Sequence, residues 1–479
     1  MSGESKQKIY RTIVKATGLF GGVQVIGILC SIVRNKLVAV WMGTLGVGFI
    51  SLYASSMEMI GALTGLGLRS SAVRDISRDA KGDKPGGLER TVSVVRRWSW
   101  FVGLFGAVTM LSLAPYLSRW TFGNDEHMWS FVFLSCTLLF NALASGEQAV
   151  LQGLGKLKKM AQCSVIGSSA GVLLSLPLYY FFRVGGIVPS LILQSLSVAV
   201  TTFFLRNRMP DAPRMSVVET APAGRDMVSL GIFMTVSGFI TTLFSYLFVV
   251  WLQHTDGKEA VGLYQAGFTL VTKYVGLVFT AMGMEYYPRL SAVADRKEEV
   301  SNYVSLKAET SLLILLPIIC VFILCREWVI QLLYTAEFMA IDRYVAWAMI
   351  GVLFRAVSWS IGFILLAKGA GKYFLITEFL SDSANLLLNI AGYSWFGLSG
   401  IGMAYLAGFV FYLVVIYVVC RKAYGLRIGR MTPLLLMGST VVCGVVFAAT
   451  VYGFYWIAAA VTVLAVGISL WMLKQRFFA

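Results

Sequence analysis

Charged side chains stand inside long apolar stretches of this 479-residue chain, among them Arg34, Lys36, Lys273 and Arg355 as cations and Glu58, Glu378 and Asp382 as anions. A charge at the centre of a bilayer costs at least about 2.5–3.5 kcal/mol, so each asks for a partner, water or a ligand. Their neighbours are polar too. Before and beside Arg34 and Lys36, Gln24, Ser31 and Asn35 recur at i, i+7 and i+11, and Ser51, Ser55 and Glu58 share a face further on. Gln265, Thr269 and Thr272 adjoin Lys273, and Ser358 follows Arg355. Glu378, Asp382, Asn385 and Asn389 make a seam at i, i+4, i+7 and i+11, with a milder stripe at Asn141, Ser145, Gln148 and Gln152.

Two arrangements satisfy such groups: a hydrated central cavity, or buried ion pairs that fix helix packing. For a single residue both stand. For the set, four cations against three anions leave a cation over. A cavity with surplus Arg and Lys suits an anionic head group such as phosphate, to which Arg presents a planar fork of donors. Release of that anion needs a trigger, and a carboxylate taking up H⁺ or Na⁺ would supply one. Glu58 is the first candidate, unless it pairs with Arg34. Glu378 and Asp382, like charges one turn apart on a single face, are the second. His127 and His254 are far apart, and the seven Cys are scattered, so neither a metal nor any other cofactor is expected beyond such a coupling ion.

Membrane helices must hold these groups. Residues of the AVILMFWYC set make up 57% of the chain, charged residues 13%, and mean hydropathy is +0.75. Soluble domains carry about 25% charged residues. The apolar runs are about 20 residues long, which predicts an all-α integral membrane protein rather than a barrel. About fourteen spans are expected: 12–33 (with an extension to 41 that takes in Arg34 and Lys36), 46–68, 98–118, 129–150, 161–182, 186–205, 227–252, 260–283, 308–325, 344–366, 373–395, 398–420, 432–452 and 454–473. The first follows a basic start without an A-x-A exit and should remain as an anchor.

With the N-terminus in the cytoplasm, the cytoplasmic segments hold 29 of the 40 Lys and Arg. The opposite side holds only Arg119, Arg183, Lys258, Arg326 and Arg343. Both termini are therefore expected in the cytoplasm. The net charge of +16 is spread between apolar runs and suits anionic lipid head groups, which excludes a nucleic-acid partner. The longest loop, 69–97, is too short for a catalytic domain, and Gly155-Lys156 and Gly371-Lys372 lack the rest of a phosphate-binding loop. No enzyme activity is expected, and uphill work must draw on a gradient.

Three landmarks repeat in order: Val47-Gly48-Phe49 as Val261-Gly262-Leu263, Gln152–Lys156 as Lys368–Lys372, and Gly186-Ile187 as Gly400-Ile401, at offsets of 214, 216 and 214. Six spans separate the copies, so both halves share one orientation. This predicts a six-helix bundle over 1–208, a cytoplasmic linker over 209–226, a second six-helix bundle over 227–421 in parallel pseudo-repeat, and two C-terminal helices over 422–479. Transporters built this way hold substrate where the halves meet, near mid-membrane.

The run from Arg34 to Gly48, a basic start, a short apolar stretch and then Gly43-Thr44-Leu45-Gly46-Val47-Gly48, resembles the end of the first span in bacterial polysaccharide flippases. These are the O-antigen and lipid-linked oligosaccharide translocases of the multidrug/oligosaccharidyl-lipid/polysaccharide exporter superfamily. The resemblance implies alternating-access transfer of an undecaprenyl-diphosphate-linked oligosaccharide from the inner to the outer leaflet of the bacterial inner membrane. It also implies that Arg34, Lys36, Lys273 and Arg355 contact the diphosphate and glycan in a basic vestibule. Partners so implied are the lipid-linked substrate, membrane lipids and the polysaccharide polymerase machinery, with the protein a monomer. Many members have twelve spans; the extra pair here is shared with the related lipid II flippases, where it helps to form a groove for the lipid tail. A multidrug antiporter of the superfamily would be expected to carry an acidic cavity. A membrane-embedded polymerase or glycosyltransferase needs a larger outer loop than 119–128, which offers only Asp125 and Glu126.

Overall fold

In the computed structural model, residues 3–80, 87–207, 217–276 and 296–478 are described, with single positions between 278 and 293. Side chains are described within 27–475, except at 28, 208–234, 273, 274 and the gaps in those ranges. All regular structure among these residues is helical. In lipid no water is available to backbone N–H and C=O groups, and a helix satisfies them within one segment. In chain order the helices are α1 (Gly3–Thr64), α2 (Leu68–Asp79), α3 (Gly87–Phe122), α4 (Met128–Gly153), α5 (Leu157–Phe182), α6 (Ile187–Leu205) and α7 (Val217–Phe268). They continue as α8 (Lys297–Leu333), α9 (Asp342–Ala367), α10 (Gly371–Tyr424), α11 (Met431–Val451) and α12 (Tyr455–Phe478).

Ten stretches among the described residues are long and apolar enough to cross a membrane. Four are divided. Gly43 (φ 63°) breaks α1, Gly257 (φ 82°) breaks α7 and Gly397 (φ 58°) breaks α10, while a 3-10 turn at Arg183–Gly186 separates α5 from α6. Exposed aromatics stand near helix ends in each unit, among them Trp120, Trp129, Phe181 and Phe182 in the first half of the chain and Trp328 (75%), Trp395 (76%), Tyr452 and Trp456 (90%) in the second. Such rings favour the interface between hydrocarbon and water. The chain is a multi-pass membrane protein.

The stretch 69–97, expected as a loop, contains α2 and the beginning of α3. Leu68, Ala72 and Ile76 recur every four residues on a helix whose other face shows Arg69, Arg74 and Arg78. That apolar stripe is too short to register as a span. It packs with Val92, Val94, Val95, Ala149 and Val150, which closes α2 over the ends of α3 and α4.

Backbone geometry sharpens the repeat. Positive φ at Gly43, Gly155 and Arg183 returns at Gly257, Gly369 and Gly397, each 214 residues later. The turn after α4 and the turn after α9 also share their hydrogen bonds. Gly155 N–H donates to Gln152 and Lys156 N–H to Leu151, as Gly369 donates to Leu366 and Ala370 to Leu365, a left-handed helix cap in both places. The correspondence thus pairs Gly155 with Gly369, two residues earlier than the offset of 216 that the Lys side chains suggest.

Arg183 alone among these six has a Cβ, at φ 48° and ψ −122°. Non-glycine residues pay about 1–3 kcal/mol there. Arg183→Gly should raise thermal stability by ~1 kcal/mol in a detergent melt; an unchanged or lower midpoint would show that the turn is relaxed.

The chain divides into two compact units, residues 1–261 and 262–479. The first limb of α7 belongs to the first unit: the Tyr246 hydroxyl lies 2.7 Å from Thr121 Oγ1, and both groups are buried. In the second unit the loop before α11 is tied to α8, where Ser301 and Ser305 accept the N–H groups of Arg427 and Gly429, and Glu309 accepts the Thr432 hydroxyl.

Candidate functional site

In the first unit, Arg34 reaches from α1 to α6. Its Nη1 donates to Gln194 Oε1 at 3.0 Å and its Nη2 to Asn35 Oδ1 at 3.4 Å. One turn earlier, Cys30 Sγ lies 3.3 Å from Ser169 Oγ of α5. Gly171 lets this contact form. A Cβ there would lie 3.0 Å from the Gln194 Cα, so the absence of a side chain draws α5 onto α6 and fixes Gln194. The α1 face that meets its neighbours therefore runs through Cys30 and Arg34.

Lys36 is half-buried and separately engaged. Two residues from Arg34, it lies about 200° round the helix, so the structure does not bring this pair to one face. Glu58 is exposed on the second limb of α1 and has no hydrogen bond or ion pair among the described residues. The Arg34 guanidinium goes to the two amides instead.

In the second unit, Lys273 lies in a π-helical turn, Thr269–Tyr274, that directly follows α7; its side chain is outside the described residues. Such turns insert an extra residue and are frequent at functional sites. Arg355, on α9, donates from Nη1 to the Tyr405 hydroxyl at 3.1 Å. Its guanidinium carbon lies 5.0 Å from the Phe279 ring centre and 5.7 Å from that of Phe409. Among the described residues the aromatic sleeve satisfies the cation, and no anion pairs with it.

Glu378 accepts the Tyr412 hydroxyl at 2.8 Å. Asp382, one turn on, is half-buried and has its own interactions. Asn385 donates back to the Ser381 carbonyl at 3.1 Å, and Asn389 keeps a buried oxygen with no hydrogen-bond partner among the described residues. Tyr405, Phe409 and Tyr412 recur at i, i+4 and i+7 on the second limb of α10, so one face of that limb serves both Arg355 and Glu378. Sequence reasoning missed this stripe and Gln194. The spacing was visible, but apolar helices carry many such aromatics.

Ion pairs that fix packing occur elsewhere. Arg96 meets both oxygens of Glu147 at 2.6 and 3.0 Å and the Asn207 carbonyl at 2.8 Å, joining α3, α4 and the end of α6. Arg326, counted from sequence among outer-loop cations, is 2% exposed. It pairs with Asp342 at 2.6 Å and donates to Thr450 Oγ1 at 2.6 Å, linking α8, α9 and α11.

A helical membrane protein with cations held by neutral partners inside its spans is the class these features define. The chain belongs to the polysaccharide biosynthesis protein family, whose model matches residues 46–342. This agrees with the resemblance carried by Arg34–Gly48. A lipid III flippase of Escherichia coli (strain K12) is 22% identical over 397 residues, 79% of this chain and 91% of that protein. A putative O-antigen transporter of Shigella flexneri is 23% identical over 294 residues, 60% of this chain and 69% of its own length. Among solved structures, the lipid II flippase MurJ in an inward closed conformation aligns with a TM-score of 0.73 at 11% identity, covering 97% of this chain and 100% of that one. At such identity the likeness is one of fold.

Proposed function

We propose that this protein is a flippase of the multidrug/oligosaccharidyl-lipid/polysaccharide exporter superfamily. It moves an undecaprenyl-diphosphate-linked oligosaccharide from the inner to the outer leaflet of the bacterial inner membrane by alternating access. The family match over 46–342 carries this reading. The two relatives, a lipid III flippase and a putative O-antigen transporter, support it. Arg34, Lys36, Lys273 and Arg355 contact the diphosphate and acidic sugars. Gln194 and Tyr405 hold two of these cations with neutral groups, which leaves their positive charge for an anion.

Counting the limbs of the four divided stretches separately turns ten crossings into fourteen. We read them as two six-helix bundles, 1–208 and 227–421, joined by 209–226 and followed by the pair in 422–479, with both termini cytoplasmic and the protein monomeric. The recurrence of positive φ at 214 residues supports the repeat. The substrate arrives from cytoplasmic synthesis and leaves toward a polymerase. Lipid II is a second reading of the cargo, favoured by the full-length alignment that includes the last two helices.

Deletion of the gene should remove the surface polysaccharide and leave the lipid-linked unit on the cytoplasmic leaflet. Plasmid-borne restoration of both would support the reading. Normal surface polysaccharide in the deletion strain would reject it. Coupling to H⁺ or Na⁺ runs through Glu58, with Glu378 and Asp382 as the second site. Glu58→Gln should keep basal transfer in proteoliposomes and lose the response to an imposed gradient; a response equal to wild type would move the coupling site elsewhere.

A further inference from the structure

The two histidines of the chain, 127 residues apart, come to the same end of the first unit. His254 Nε2 lies 2.7 Å from the Trp120 carbonyl oxygen, and His127 Nδ1 lies 2.9 Å from the Tyr53 hydroxyl. Aromatic rings enclose His127: Phe122 at 4.0 Å between centroids, Phe49 at 5.6 Å and Tyr53 at 6.1 Å. The Lys258 ammonium sits against the same two Phe rings, 4.3 Å from Phe49 and 5.7 Å from Phe122. Lys258 is also the first residue after the break at Gly257. An imidazole able to gain charge and a fixed cation thus share one aromatic box beside a hinge.

We propose that His127 is a proton-binding site whose occupancy positions Lys258 and, through it, the α7 limb that follows Gly257. With His127 neutral, its ring packs on Phe122 as an uncharged neighbour and Lys258 brings the positive charge to the Phe49 and Phe122 rings. With His127 protonated, two cations compete for those faces and repel one another. The hydrogen bond responds too: in the neutral tautomer with its proton on Nε2, Nδ1 accepts from the Tyr53 hydroxyl, whereas the protonated ring donates to it.

Other charged groups at this end have identifiable places. Glu126 precedes His127 and favours its protonation. Asp125 is engaged by Arg119 at 2.7 and 3.0 Å. Asp256 and Glu259 flank the hinge on α7, His254 is held at Trp120, and α3 offers the uncharged Phe122. Burial, and next the charge of Lys258, hold the His127 imidazole below the ordinary histidine range. The sign follows: the neutral cluster is fully stabilised above about pH 6.5, and the contribution is lost as pH falls toward the lowered value. The inference does not depend on the identity of the cargo.

Hydrogen–deuterium exchange on the full-length chain in nanodiscs tests it. After correction for chemical exchange, peptides covering 254–268 should open about tenfold more readily at about pH 5 than at about pH 7.5. His127→Gln, which can still bond Tyr53, should abolish that rise, and His254→Gln should retain it. Lys258→Met keeps an unbranched stem on the rings without the charge and should also flatten the response. A flat wild-type profile overturns the proposal, as does a rise that survives His127→Gln. Should His127→Gln fail to insert, a rise that survives Lys258→Met overturns it equally.

Discussion

Arg34→Ala and Arg355→Ala are each expected to reduce transfer of the lipid-linked oligosaccharide about 30–150-fold while the protein remains folded and inserted. A charge-assisted hydrogen bond contributes about 2–3 kcal/mol, and a barrier raised by that amount gives such a factor. Folding should survive because neither cation pairs with an anion among the described residues. Arg34 bonds the amides of Gln194 and Asn35, and Arg355 bonds the hydroxyl of Tyr405 between two rings. Their removal leaves neutral groups, not stranded charges. Lys should rescue incompletely, since an ammonium cannot present the planar fork that a diphosphate oxygen pair accepts. Tyr405→Phe should cause a smaller loss, because it disturbs the orientation of Arg355 and leaves the charge. Surface-glycan export in a deletion strain complemented with each variant measures this. Full export in both Ala variants would assign the two cations to packing.

The opposite behaviour is expected at Arg326 and Asp342. Arg326 is buried and Asp342 part-buried, and Arg326 is further held by Thr450 with the Glu327 carboxylate no nearer than 3.9 Å, so removing either partner of the 2.6 Å pair takes away most of the other's compensation. Breaking a buried pair costs about 3–5 kcal/mol. Arg326→Met and Asp342→Asn should each lower the unfolding midpoint of the purified protein sharply and reduce its abundance in the membrane. The double variant Arg326→Met, Asp342→Leu should recover much of the loss, since it removes both charges together. Single variants that melt with wild type would show that water reaches the pair.

These two cation classes could not be separated by reading along the chain. Arg34 and Arg355 were legible because each stands within an apolar run, where an ion without a function is costly. Arg326 stands near the end of such a run and was counted as a loop charge; its partner Asp342 lies beyond a 3-10 turn, and only the fold brings them together. Gln194 and the Tyr405–Phe409–Tyr412 stripe did not stand out for a related reason. Neutral amides and aromatic rings are ordinary in spans, and what distinguishes these is the cation or carboxylate they meet.

The span pattern itself was largely readable, because Gly and basic residues punctuate the apolar runs. Gly43, Gly257 and Gly397 mark places where the helix breaks between two apolar limbs. α2 escaped notice because its stripe of Leu68, Ala72 and Ile76 is shorter than a bilayer crossing. The offset of 216 arose from aligning Lys156 with Lys372, whereas the backbone follows the left-handed glycines at 155 and 369. Side-chain likeness misled there, and the steric demand of the turn did not.

The most direct measurement of the central claim is transfer in proteoliposomes. Purified protein is reconstituted with undecaprenyl-diphosphate-linked oligosaccharide on both leaflets, and the outer glycans are modified with a membrane-impermeant reagent. The account predicts that wild-type protein exposes the protected inner pool well beyond the rate of empty vesicles, and that Arg34→Ala and Arg355→Ala do not. An inner pool that stays protected with wild-type protein, or becomes exposed equally with both variants, would contradict it.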